Sequence, residues 1–283
     1  MYLFASESVS AGHPDKCADI IADSIVDSLL QRDPDTKVAT EVFISGKHII
    51  IGGEVRTAGE VSASFYEDIA REALRKIGYP ESGFERGETF FPDEAEIEVY
   101  VSQQSPDITM GVVKENNEIG AGDQGIMFGY ATCEGDDYMP TALSYARRIR
   151  DALYTYALDH PETFGVDIKT EVLMDYGSKE NFDNGSPQRI EKIIVAIAHS
   201  RSTAPIDVEL LVKKIIRENV KFEAGHFDED VIFYINNTGR FIIHSPIADS
   251  GLTGRKVVCD TYGGYAPIGG GSQSSKDYGK GAW

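Results

Sequence analysis

An α+β fold built from two copies of one unit is what the sequence predicts. Residues 37 to 102 read strand, strand, helix, strand, and residues 167 to 236 read the same order again. A unit of that kind leaves one sheet face bare, so the two units are expected to pack sheet to sheet or against another subunit. The repeat is one of pattern, with no evident identity between the halves. A chain of 283 residues is long enough for about two domains with a sizeable core.

Met1 to Phe4 is expected to start a short strand, with Ser6 to Gly12 as a polar connector. From Asp15 onward Ala18, Ile21, Ala22, Ile25 and Leu29 recur at helical spacing, with Asp19, Asp23 and Asp27 on the other side. Pro14 sits just inside that helix's start, where its missing N–H costs nothing. Lys37 to Ser45 and His48 to Arg56 read as two strands joined through Gly46. A helix follows Ser64 and stops at Gly78, a residue suited to the left-handed turn that ends helices. Residues 80 to 93 are expected to be loop and Glu94 to Ser102 a strand. The long segment from 103 to 130 is expected to be loop of the kind that often forms lids. Thr141 to Leu158 reads as a helix, Asp167 to Tyr176 and Ile190 to Ser200 as strands around a hairpin loop with Asn184-Gly185, Ile206 to Glu218 as a helix, and Val231 to Asn236 as a strand.

Composition narrows the partners. A balance of 46 acids against 27 bases, net charge -19, repels phosphate backbones and argues against nucleic acid. No apolar run approaches a membrane span and the N-terminus lacks a signal-peptide pattern, so neither membrane nor export is expected and the cytoplasm is the expected compartment. Three scattered cysteines, Cys17, Cys133 and Cys259, fit a reducing compartment better than a disulfide framework.

The candidate chemistry is concentrated at a few positions. The last 35 residues, from Asp249, hold nine of the 28 glycines together with Arg255, Lys256, Lys276 and Lys280. Glycines let backbone N–H groups approach an anion and the bases add charge, which is the composition of a polyphosphate cradle, although the P-loop and dinucleotide patterns are absent. A flexible Gly/Ser tail is the plainer alternative. His13, Asp15 and Lys16 lie at a helix N-terminus, where free N–H groups and the dipole favour anions. Glu41 and Glu54 sit inside apolar strands that pair as a hairpin, so each needs a cation, a metal or hydrogen bonds, or else an exposed edge. Asp123, Lys169 and Asp249 complete the set. Bases with glycine loops suit a chain of phosphates, and scattered acids suit Mg2+. The residues alone point to a nucleoside triphosphate enzyme outside the P-loop class and leave its second substrate open.

The strings SESVSAGHPDK, QSPDI, GAGDQGIMFGYA, DSGLTGRK, DTYGGYAPIGGG and SSKD, in that order over nearly the whole chain, resemble the S-adenosylmethionine synthetase family. The resemblance implies transfer of the adenosyl group of ATP to the sulfur of L-methionine, with release of pyrophosphate and phosphate. It implies His13, Lys169, Arg255 and Lys276 as catalytic residues. ATP binding would fall to His13, Asp167, Lys169, Arg240, Phe241, Asp249, Arg255, Lys256, Ser272 and Lys276, and methionine binding to Glu54, Gln104, Asp123, Asp249 and Lys280. Asp15 would hold Mg2+ and Glu41 K+.

The resemblance also implies interleaved domains and a homodimer or dimer of dimers with shared active sites. Segments 1–12 and 134–244 would form one α+β domain, 13–108 and 245–283 a second, and 109–133 the gating loop and crossing segment of a third that is largely absent. Where the family's gating loop commonly continues QSPDI with N-Q-G-V-D, this chain has Thr109-Met110-Gly111-Val112-Val113. Its I-N-P-T-G is here Ile235-Asn236-Asn237-Thr238-Gly239, and Ala282 stands where the family has a cation-binding Asp. The largely absent third domain and Ala282 motivate the alternative of a shortened, impaired homologue that binds nucleotide or pairs with a full-length subunit.

Overall fold

The computed structural model describes residues 1–79, 84–103, 125–277 and 279. In chain order the elements are β1 (Leu3–Val9), α1 (Pro14–Arg32), β2 (Lys37–Ser45), β3 (His48–Arg56), α2 (Ala63–Ile77) and β4 (Glu96–Gln103). They continue with α3 (Thr141–Asp159), β5 (Phe164–Asp175), α4 (Lys179–Asp183), β6 (Arg189–His199), α5 (Pro205–Asn219), β7 (Ile232–Ile235), β8 (Gly251–Leu252) and α6 (Val257–Asp260). Short 3-10 turns occupy Pro92–Glu94 and Ser245–Ile247.

Two four-stranded sheets form, in the orders β4-β3-β2-β8 and β7-β6-β5-β1. The expected repeat is present and larger than its pattern. In each sheet an antiparallel hairpin (β2-β3, β5-β6) is joined by a parallel strand (β4, β7) after a helix, and an antiparallel strand from elsewhere in the chain closes the other edge. Each hairpin is also preceded by a long helix, α1 or α3, so the unit is helix, strand, strand, helix, strand.

Alternation along the strands sets which face is covered. Val38, Val42, Ile44, Ile49 and Ile51 turn inward onto Ile21, Ile25 and Leu29 of α1 and Leu74 of α2. In the second unit Ile168, Val172, Ile193 and Ile197 meet Ile149 and Leu153 of α3 and Val212 and Ile216 of α5. Among the described residues no long helix covers the opposite faces. Phe43 (38% exposed) and Tyr100 (64%) stand on the first, and Leu3 and Tyr234 on the second.

Several expected boundaries need correction. The N-terminal strand is one run, Leu3–Val9, rather than Met1 to Phe4 followed by a connector, because the polar Ser6 and Ser8 face inward and are bonded there while β1 pairs with β5 from Leu3↔Asp175 to Val9↔Lys169. The strand expected from Glu94 starts at Glu96, since Pro92 sets a 3-10 turn that ends at Glu94, and it extends to Gln103 within the stretch expected to be loop. The hairpin loop after β5 contains the short helix α4, capped by Ser178, whose Oγ accepts from Asn181 N–H at 3.1 Å.

The described part of the C-terminal stretch is bonded to α1 and β2, where a flexible tail was the alternative. It pairs with β2 through β8, passes over α1 and meets the same edge of β2 again at Lys276. Asp19 Oδ1 accepts from Gly254 N–H (2.8 Å) and Asp23 Oδ1 from Ser275 N–H (2.7 Å). Thr253 Oγ1 accepts from Val42 N–H (2.7 Å), and Asp277 Oδ2 from Val38 N–H (2.8 Å). Edge groups of β2 are thereby satisfied at both ends by one segment.

Candidate active site

The N-terminus of α1 faces that returning segment. His13 caps the helix, its Nδ1 accepting from Asp15 N–H at 3.2 Å. An accepting Nδ1 leaves the proton of the neutral ring on Nε2, so the outer nitrogen is a donor. Burial, joined by the charge of Lys256, pushes the His13 pKa down to about 4, and the imidazole is neutral at pH 7. Asp15 is almost fully buried, with Oδ1 accepting from Leu252 N–H (3.0 Å) and Oδ2 from Lys256 Nζ (2.6 Å), and with Arg255 Nε 3.5 Å from Oδ1. Gly251 makes this approach possible, because a Cβ there would strike the Pro14 carbonyl.

From the second unit β5 brings Lys169 and Asp167. Lys169 Nζ pairs with Glu7 Oε2 at 2.7 Å, and its charge reaches His13. Burial would raise the Glu7 carboxyl, but the hydrogen bond and charge of Lys169 prevail and hold it below its ordinary value. Asp167, wholly buried, is pushed up to about 7 by that burial; the Ser245 N–H donated to Oδ2 (2.9 Å) pulls it down and the neighbouring Asp249 pushes it further up. Asp249 itself is exposed and lies close enough to act on His13 as well. The structure therefore gathers His13, Asp15, Lys169, Asp249, Arg255 and Lys256, with Asp167 beside them, where two units and the returning segment meet.

Other expected residues lie apart from this cluster. Lys276 bridges to Ala39 on the β2 edge and donates to Glu41 Oε1 at 2.6 Å. Glu41 and Glu54 share the uncovered face of the β2-β3 hairpin, one diagonal step apart in the register Ala39↔Glu54, Glu41↔Gly52. Ser272 packs under Gly254 and its Oγ donates to the Ser274 carbonyl at 3.2 Å. Arg240 is exposed and Phe241 half-buried after β7. Gln104, Asp123, Lys280 and Ala282, with most of segment 109–133, lie outside the described residues. Lys16, a candidate for the anion mouth, is instead held by Asp19 (3.1 Å) and Asp260 (3.0 Å).

Glu7 and the pair Asp19 and Asp23 were not singled out from sequence. The aspartates recur every four residues on α1, a spacing that reads as a solvated face, yet two of them bind the returning backbone. Among the described residues no three His, Cys, Asp or Glu side chains gather as a metal-binding group.

Comparison with known proteins places the chain in one family. Family models for the N-terminal, central and C-terminal domains of S-adenosylmethionine synthetase match residues 1–106, 118–241 and 243–281. An S-adenosylmethionine synthase of Zymomonas mobilis is 43% identical over 284 aligned residues, covering 98% of this chain and 68% of that protein. One from Parvibaculum lavamentivorans is 41% identical, with the same shares covered. A solved structure described as an unusual S-adenosylmethionine synthetase from Campylobacter jejuni superposes with a TM-score of 0.92 at 48% identity, covering 99% of this chain and 70% of its own.

Proposed function

Because this chain belongs to the S-adenosylmethionine synthetase family and is by class a methionine adenosyltransferase, we propose that ATP and L-methionine meet beside the N-terminus of α1. The reaction moves the adenosyl group of ATP to the methionine sulfur, giving S-adenosylmethionine with pyrophosphate and phosphate. A thioether sulfur is neutral and nucleophilic without losing a proton, so no general base is required. Alignment and stabilisation of the departing triphosphate carry the rate. One observation supports this site above the others: Lys256 and Arg255 converge on the single buried carboxylate of Asp15 at a helix N-terminus capped by a neutral histidine.

In this reading Lys169, Arg255 and Lys256 bind the triphosphate, and His13 donates Nε2–H to an oxygen on which charge develops. Lys276 is a fourth base for the phosphates, with Ser272 in the loop before it. Asp167, Arg240 and Phe241 receive the nucleoside, and Asp249 contacts both substrates. Glu54, Gln104, Asp123 and Lys280 bind methionine.

Two cations fit the donors present. Asp15, whose two oxygens now face Lys256 and Arg255, would hold Mg2+, which neutralises phosphate charge when bound. Glu41 would hold K+; the Lys276 ammonium at 2.6 Å occupies its carboxylate as a monovalent cation of similar size. The bare sheet faces carrying Phe43, Tyr100, Leu3 and Tyr234 are proposed to meet those of a second copy, giving a homodimer or a dimer of such dimers with shared sites. The domain division is proposed as 1–12 with 134–244, 13–108 with 245–283, and 109–133 as gating loop and crossing segment. The cytoplasm is proposed as the compartment, with the free thiols in support; among the described residues no helix is long and apolar enough to cross a membrane.

Incubation of the purified chain with ATP, L-methionine, Mg2+ and K+ is expected to yield S-adenosylmethionine, pyrophosphate and phosphate by mass spectrometry, and a chelator is expected to stop it. Folded protein that binds ATP and makes no sulfonium product would contradict the reading.

A further inference from the structure

We propose that His199, at the end of β6, is a positioning residue of the nucleotide site, acting through Phe241; this rests on the reading of Arg240 and Phe241 as nucleoside contacts. The segment that carries those two residues follows the tight turn Asn236–Gly239 and has no strand of its own to hold it. It is fastened instead by one fully buried histidine. The His199 backbone N–H donates to the Phe241 carbonyl at 3.0 Å, and the Phe241 N–H donates back to His199 Nε2 at 3.2 Å.

A backbone N–H can only donate, so Nε2 carries no proton and the ring proton sits on Nδ1, which donates to the Ser200 carbonyl at 3.0 Å. Both ring nitrogens are thus committed, and the tautomer is set by groups on either side. The Phe241 ring is braced as well, edge-on to the buried His244 ring with centroids 6.3 Å apart. His244 leads directly into Ser245, whose N–H binds Asp167. One connected set of contacts therefore sets where the Phe241 ring and the Asp167 carboxyl stand relative to each other; Asp167 ties its Ser245 end to β5, and His199 supplies the side-chain hydrogen bond that ties its Phe241 end to β6.

The two nitrogens can be tested separately. His199→Gln places an acceptor near the position of Nε2 and keeps the Phe241 contact, whereas His199→Asn keeps the donor to Ser200 and loses that contact. His199→Asn is expected to raise KM for ATP about tenfold, with kcat and KM for methionine within about twofold of the parent, the scale of one hydrogen bond. His199→Gln is expected to stay near the parent. ATP binding by titration calorimetry, in the absence of methionine, is expected to follow the same order. Equal effects of the two substitutions on ATP, or a fall in melting temperature with no change in ATP affinity, would overturn the role. A parent protein that binds no ATP would overturn the nucleotide-site reading and this role with it, a result distinguishable from the others because it appears before any substitution is made.

Discussion

In the proposed site His13 would meet the developing phosphate charge as a neutral donor, since Nδ1 is spent on the Asp15 amide and burial keeps the ring uncharged. His13→Ala is accordingly expected to lower kcat by on the order of 10²-fold, the scale of one lost oxyanion donor, with little change in KM, as measured by steady-state kinetics. Asp167 offers a pH signature independent of turnover. Its carboxyl is pushed up to about 7 from 3.8, so across that window the unfolded chain is ionised while the folded chain keeps the proton. Stability supplied at low pH is then lost as pH rises through the window and is level above it. Asp167→Asn, which cannot ionise, is expected to melt several degrees above the parent at pH 8 and near it at pH 4, by scanning calorimetry of the ligand-free protein. The H-P-D-K helix opening made His13 and Asp15 legible in the sequence. Glu7 was not legible, because its meaning depends on Lys169, which the β1-β5 ladder brings within 2.7 Å.

Among the elements, α1 has two parts to play: its first turn is the proposed anion mouth, and its aspartates Asp19 and Asp23 bind the chain's returning segment. Asp277 locks the far end of that segment by accepting Val38 N–H and pairing with Lys37 at 3.4 Å. Asp277→Ala strands a buried amide and is expected to cost about 1–3 kcal/mol in urea unfolding. It should also loosen the neighbouring Lys276. Hydrophobic periodicity revealed the two hairpins and the long helices, because each repeats its pattern locally over many residues. It did not reveal β8, a two-residue strand whose pairing with β2 spans about 200 positions of chain and leaves no local pattern. The stretch from Leu3 to Val9 was misread for a related reason: Ser6 and Ser8 face inward where apolar residues are expected, and are satisfied there by bonds such as Ser6 Oγ to the Gly263 carbonyl at 2.7 Å.

At the scale of the whole molecule, two units of the same topology and a returning segment bring charged groups distant in sequence around one helix end, and each unit leaves a sheet face bare. A charge on such a face should oppose self-association. Phe43→Asp is expected to shift the protein toward monomer in light scattering and to lower turnover with it, while far-UV circular dichroism stays unchanged. The strand order within each repeat was readable from sequence; the gathering of the candidate residues was not, since the contacts between Asp15 and Lys256 or Lys169 and Glu7 exist only once the units are packed. Whether the α1 N-terminus binds polyphosphate, as proposed, can be measured without adenosine or methionine. In calorimetric titration with inorganic tripolyphosphate and Mg2+, the parent protein is expected to bind, competitively with ATP. Lys256→Met, verified as folded, is expected to bind at least about tenfold more weakly, the loss of one charge-assisted contact. Tripolyphosphate affinity that is absent in the parent, or unchanged in Lys256→Met, would contradict the placement of the triphosphate at the α1 N-terminus.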